Sequence, residues 1–71
     1  MNLDLLPTTP EGKYIHLMEE CAEVIKVCSK ILRFGLYNIS PVHPEEGTNH
    51  QKIREEMEDL RYAMSRVEEM L

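Results

Sequence analysis

Gly35, Pro41, Pro44 and Gly47 fall within thirteen positions in the middle of the chain, and no regular element tolerates that density of breakers. They mark a loop over 34–47 and leave one helix-length stretch on either side. On the N-terminal side, Thr9 is a good N-cap, Pro10 suits the first helical position, and Glu11 complements the helix dipole. A helix is predicted from Pro10 to about Arg33. Gly12 weakens its start slightly, and Gly35 closes it behind Lys30 and Arg33. Residues 1–9 read as a short arm. On the C-terminal side, Thr48 and Gln51 have the spacing of a capping box, so a second helix is predicted from about Thr48 to Leu71.

Both stretches carry apolar stripes of helical period. Ile53, Met57, Leu60, Met64, Val67 and Leu71 step by four and three throughout, a heptad-like seam. The first helix has a broader stripe of Leu17, Cys21, Val24, Ile25, Cys28, Ile31 and Leu32. Neither stretch alternates with the period of a strand. The fold class expected is all-α: a single domain over 1–71, a helical hairpin with a long loop.

One hairpin cannot cover two broad stripes. A chain of 71 residues buries only roughly 60% of its unfolded surface, and scaffolds of this size add disulfides, a metal or a partner. Cys21 and Cys28 are seven apart, which on one helix is roughly 10 Å, beyond the reach of a disulfide. They are expected to be free buried thiols of a reducing cytosol. Neither cysteine has zinc-finger spacing to His43 or His50. The staple expected is a second copy, giving a homodimeric four-helix bundle or a higher assembly such as a homotetramer.

The net charge of −5, from 13 acidic and 8 basic residues, argues against a nucleic-acid polymer as partner. It leaves room for a small phosphate ligand, since a bound cation reverses charge locally. No stretch has the roughly 20 apolar residues of a membrane span, and Met1 to Pro10 lack the basic start and apolar run of a targeting segment. The expected location is the cytoplasm.

The acids are distributed in pairs. Glu20 and Glu23 lie three apart and share a helix face; so do Glu56 and Asp59. Each pair borders its helix's apolar stripe, so packing the stripes together brings the pairs toward one another. Carboxylates in close quarters repel, and a hard divalent cation such as magnesium, which prefers oxygen ligands, removes that penalty. His16 precedes Glu20 by one turn, Lys30 follows Glu23 by two, Lys52 precedes Glu56 and Arg66 follows Asp59. These cations suit phosphate oxygens. The same spacing also arises in solvated acidic faces and intrahelical salt bridges, so spacing alone admits both.

Glu19-Glu20-Cys21-Ala22-Glu23 has the form E-E-x-x-E, and Glu56-Met57-Glu58-Asp59 has the form E-x-x-D. In order, on two helices with a loop between, they resemble the MazG-like all-α nucleoside triphosphate pyrophosphohydrolases, and in particular a short phage and bacterial branch. The resemblance covers about residues 13–67. It implies a helical bundle assembling as dimers or tetramers. It implies Mg²⁺, with Mn²⁺ a possible substitute, held by Glu20, Glu23, Glu56 and Asp59. It also implies cleavage of (d)NTP to (d)NMP and pyrophosphate, in the host cytoplasm if the chain is phage-encoded. The 32 residues between Glu23 and Glu56 are long for this motif pair, and many relatives continue beyond the position of Leu71.

Within that expectation Glu19 is the spare carboxylate to orient or deprotonate water. Lys30, Lys52 and Arg66 are the phosphate cations. Asn49 either contacts a phosphate or shapes the helix start. His16, Phe34, Tyr37 and His43 offer rings to a nucleobase, and Tyr62 lies on the outer side of the second helix. Two other classes stay open: a non-catalytic helical module that binds a nucleotide or a partner protein, and a purely structural dimer.

Overall fold

The computed structural model describes residues 7–71; the first six residues of the expected arm lie outside it. It is an all-helical hairpin of α1 (Pro10–Phe34) and α2 (Asn49–Glu68), with a one-turn 3₁₀ helix (Pro44–Glu46) in the connection. The helix ends are local chemistry. Thr9 accepts from the Gly12 N–H at 3.1 Å and caps α1. Gly35 stops it at φ 100°, where a side chain brings strain, while its N–H still reaches the Ile31 carbonyl at 2.8 Å. Thr48 and Gln51 form both bonds of the capping box that opens α2. α2 ends at Glu68, short of the expected Leu71.

The loop folds back on the start of α2. The Asn49 N–H donates to the Asn38 carbonyl at 3.0 Å and the His50 N–H to the Leu36 carbonyl at 2.7 Å. Ile39 and Thr48 form a single antiparallel bridge. At the far end Arg66 Nη2 donates to the Pro7 carbonyl at 2.7 Å, so the end of α2 lies beside the start of α1 and the helices are antiparallel.

The seam between the helices is not the apolar one. Toward α2, α1 presents His16, Glu20, Glu23, Val27 and Lys30, all buried or half-buried and stepping by four and three. The facing row of α2 is Asn49, Lys52, Glu56, Asp59, Ala63 and Arg66, again buried or half-buried. Among the described residues, Val27, Ala63 and Val67 are the only buried apolar side chains. Meanwhile Tyr14, Met18, Cys21, Ile25, Cys28 and Leu32 form an unbroken heptad row on α1, and every member is exposed.

This corrects the expected packing. Leu17, Val24 and Ile31 flank the seam, half-buried, but Ile25 is 69% and Leu32 87% exposed. Cys21 and Cys28 are free, as expected, but exposed rather than buried. On α2, Val67 is buried and Ile53 and Leu60 are half-buried, while Met57 and Met64 are exposed, as is Leu71 beyond its end. The physical reason lies in the connection: the loop's bonds to Asn49 and His50 fix the rotation of α2, and small Ala63 lets the backbones approach there. Counting about 100° per residue from Val27 and from Ala63, both exposed apolar rows lie in the same rotational sense. In antiparallel helices that places them on one side of the hairpin. The molecule is a single helical layer, 39 × 22 × 14 Å, with one apolar side.

Candidate metal centre and adjoining cleft

Because the polar rows face each other, the acids meet. Glu20 comes from the middle of α1, Glu56 and Asp59 from successive turns of α2. Each offers a carboxylate oxygen, and the three oxygens lie within 4.8 Å of one another. All three residues are half-buried. None pairs with a lysine or arginine among the described residues; Glu20 lies 3.4 Å from Nε2 of His16, which is itself 7% exposed.

The electrostatic strain shows at Glu56. Burial, then the nearby charges of Glu23, Asp59 and Glu20, hold its carboxyl above the usual carboxylate range, against a smaller opposing pull from Lys52. The other three expected ligands thus all act on Glu56, but Glu23 does not join the cluster. Its carboxylate turns instead toward Lys26 Nζ at 3.9 Å. Glu19 is exposed at the edge of the same row. Three half-buried carboxylates converging without a matching cation are a donor set that suits a hard divalent ion with oxygen ligands.

The other sequence candidates separate into two groups. Lys30, Lys52 and Asn49 line one cleft of about 420 Å³ at the loop end of the hairpin, together with Phe34, Asn38 and Ser40. Lys52 Nζ is 2.8 Å from Glu46, and the hydrogen bond and charge of Lys52 hold the Glu46 carboxyl below its ordinary value. Asn49 is 6% exposed, and its side-chain N–H donates to the Gly35 carbonyl at 2.9 Å, while Thr48 and Gln51 cap the helix start.

Arg66 and His16 lie elsewhere. Arg66 is engaged by the Pro7 carbonyl at the opposite end of the molecule, and its guanidinium stacks near Tyr62. His16 sits beneath Glu20, not beside the cleft. Of the other rings, Tyr37 packs on His50 with centroids 5.6 Å apart, and His43 contacts Glu45. The role of Asn49 as a fastener between helices was not legible in advance, since an asparagine after a threonine cap reads as ordinary helix-start chemistry. No helix of the described residues is long and apolar enough to cross a membrane.

Comparison of the chain with protein-family models, with curated proteins and with solved structures finds no match.

Proposed function

We propose that the chain is a Mg²⁺-dependent nucleoside triphosphate pyrophosphohydrolase of the MazG-like kind, working as a homo-oligomer in the cytoplasm. The observation that carries the reading is the convergence of Glu20 from E-E-x-x-E with Glu56 and Asp59 from E-x-x-D. Those three carboxylates are the ligands proposed for Mg²⁺, with Glu23 close enough to raise the charge density. When bound, the ion would neutralise phosphate oxygens and lower the pKa of a coordinated water.

The chain's own residues supply the rest. Lys52 stands about one turn from Glu56, and Lys30 nearly three turns from Glu20, along the same groove; both are proposed to hold phosphate oxygens of the substrate. Water adds to the α-phosphorus, the bond to the bridging oxygen of the β-phosphate breaks, and the water proton passes to a carboxylate. Glu19, the spare carboxylate of E-E-x-x-E, is the acceptor proposed for it. His16 keeps the Glu20 side chain turned into the seam.

The oligomer follows from the apolar side. Among the described residues, the only buried apolar side chains of the hairpin are Val27, Ala63 and Val67, while Tyr14, Met18, Ile25, Leu32, Met57 and Met64 are exposed. Burying six such side chains contributes on the order of 10 kcal/mol, comparable to the whole stability of a small domain. A second copy laid against this face completes a four-helix bundle and leaves the acidic groove within each hairpin.

The test is pyrophosphate release with Mg²⁺ by Asp59→Asn, with helicity checked by circular dichroism. A loss of at least about 100-fold with the fold retained is expected for a ligand of the catalytic ion. Activity within a few-fold of wild type sinks the ligand set. A non-catalytic nucleotide-binding module is the second reading. It is favoured by the engagement of Arg66 with Pro7 and of Lys52 with Glu46, which leaves Lys30 as the cation of the three without such a bond among the described residues.

A further inference from the structure

We infer that the cleft at the loop end of the hairpin is the seat of a nucleoside 5′-phosphate, with Phe34 as the platform for the base and Lys30 and Lys52 as the phosphate clamp. The inference deepens the reading above and rests on it only for the direction in which the phosphate chain leaves. The cleft itself is a separate feature. It is bounded by three segments: the end of α1, the loop and the first turn of α2. A larger depression of about 740 Å³ runs along α2, but residues of that one helix wall it and nothing closes it.

The lining combines the chemistries such a ligand needs. The cleft is lined by two lysines and one carboxylate, Glu46, which Lys52 engages, so its lining carries one lysine in excess. Phe34 is 59% exposed although it ends a helix. The Arg33 guanidinium stacks 5.1 Å from its ring centre, and Arg33 is not part of the cleft wall. A planar base on the ring's other side completes a stack of the kind that binds bases without reading sequence.

Polar groups for the base and sugar are also present. Ser40 Oγ accepts from the N–H groups of Val42 and His43, which leaves its own hydrogen to donate. The Asn38 side chain has no hydrogen-bond partner among the described residues. The volume of about 420 Å³ is within the range of small-molecule sites.

The experiment uses the full chain in EDTA, so that metal binding plays no part. Amide shifts are followed by NMR during titration with the common nucleoside 5′-monophosphates and, separately, with pyrophosphate. At least one monophosphate is expected to shift the Asn38, Ser40 and Asn49 amides saturably. Phe34→Ala, at an exposed position, is expected to weaken it about tenfold and to leave pyrophosphate binding unchanged. Lys30→Gln is expected to weaken both. Shifts confined to another surface, no saturable shift with any monophosphate, or equal affinity in Phe34→Ala overturns the inference. Broadening of signals near Glu20 and Asp59 by Mn²⁺ tests the metal centre independently, so failure of one leaves the other standing.

Discussion

The side-chain amide of Asn49 donates to the carbonyl oxygen of Gly35 at 2.9 Å, fastening the first turn of α2 to the residue that stops α1. Only an N–H can meet a carbonyl, so the amide's orientation is fixed by its partner. The bond sits beside the cleft and acts with the backbone bonds of Asn49 and His50 to the loop in fixing how α2 is rotated against α1. That rotation puts Glu56 and Asp59 in the seam rather than on the surface.

Asn49→Ala therefore removes more than a side chain. The Gly35 carbonyl keeps only the longer bond from the Asn38 N–H at 3.4 Å, and the lost hydrogen bond costs about 0.5–1.5 kcal/mol. Denaturant unfolding should show that loss, and any Mg²⁺-dependent shift in melting should shrink with it, because the acids lose register. An unchanged midpoint contradicts the fastening role.

Glu56 sets the pH response of the metal-free protein. Its carboxyl is held above the ordinary value of 4.5, so between that value and its raised one the folded state carries more protons than the unfolded state. By linkage, this group makes the protein less stable as pH rises through the raised value, and restores stability as pH falls back through it. Glu56→Gln should raise the melting temperature near pH 7 in EDTA and flatten this part of the profile. In the wild type, Mg²⁺ should raise the melting temperature at pH 7, by mass action on the folded state. Glu56→Gln should lose most of that rise.

Gly12 reads in the sequence as a weak point of α1, and helix propensity alone favours replacing it by about 1 kcal/mol. The structure reverses that expectation. A Cβ at Gly12 meets the Pro7 Cβ at 2.6 Å and the Thr9 Oγ1 at 2.9 Å, so the arm and the cap both have to move. Gly12→Ala should destabilise by the loss of the cap, about 0.5–2 kcal/mol. A gain in thermal stability contradicts the close approach.

The apolar side predicts its own disruption. Ile25→Lys or Met64→Lys puts a charge on the face assigned to a second copy, and light scattering coupled to size exclusion should then give the mass of one chain. Wild type should give a multiple of 8.3 kDa. A monomeric wild type contradicts the four-helix arrangement and leaves the exposed row of Tyr14, Met18, Ile25 and Leu32 without an explanation.

What the sequence made legible was the local part. Thr9, Pro10, Gly35 and the Thr48–Gln51 box place the helix starts and the stop of α1, because capping depends on residues within one turn. The acid pairs were legible for the same reason: spacing on a helix is a local property. The rotation of one helix against the other was not. Each helix has a polar row and an apolar row at heptad spacing, and either can form a seam. The choice depends on Asn49, on the loop carbonyls of Leu36 and Asn38, and on the bulk of Ala63, which are long-range relations. Glu23 shows the limit most plainly. It has the same pairing as Glu20 in the sequence, yet its carboxylate turns to Lys26 on its own helix.

The most direct test of the central claim is product analysis with an α-phosphate-labelled nucleoside triphosphate panel, Mg²⁺, and the wild-type chain beside Glu20→Gln. The account predicts labelled monophosphate and pyrophosphate in equal amounts from wild type, and neither from a folded Glu20→Gln. Labelled diphosphate with inorganic phosphate, or turnover that survives Glu20→Gln, contradicts it.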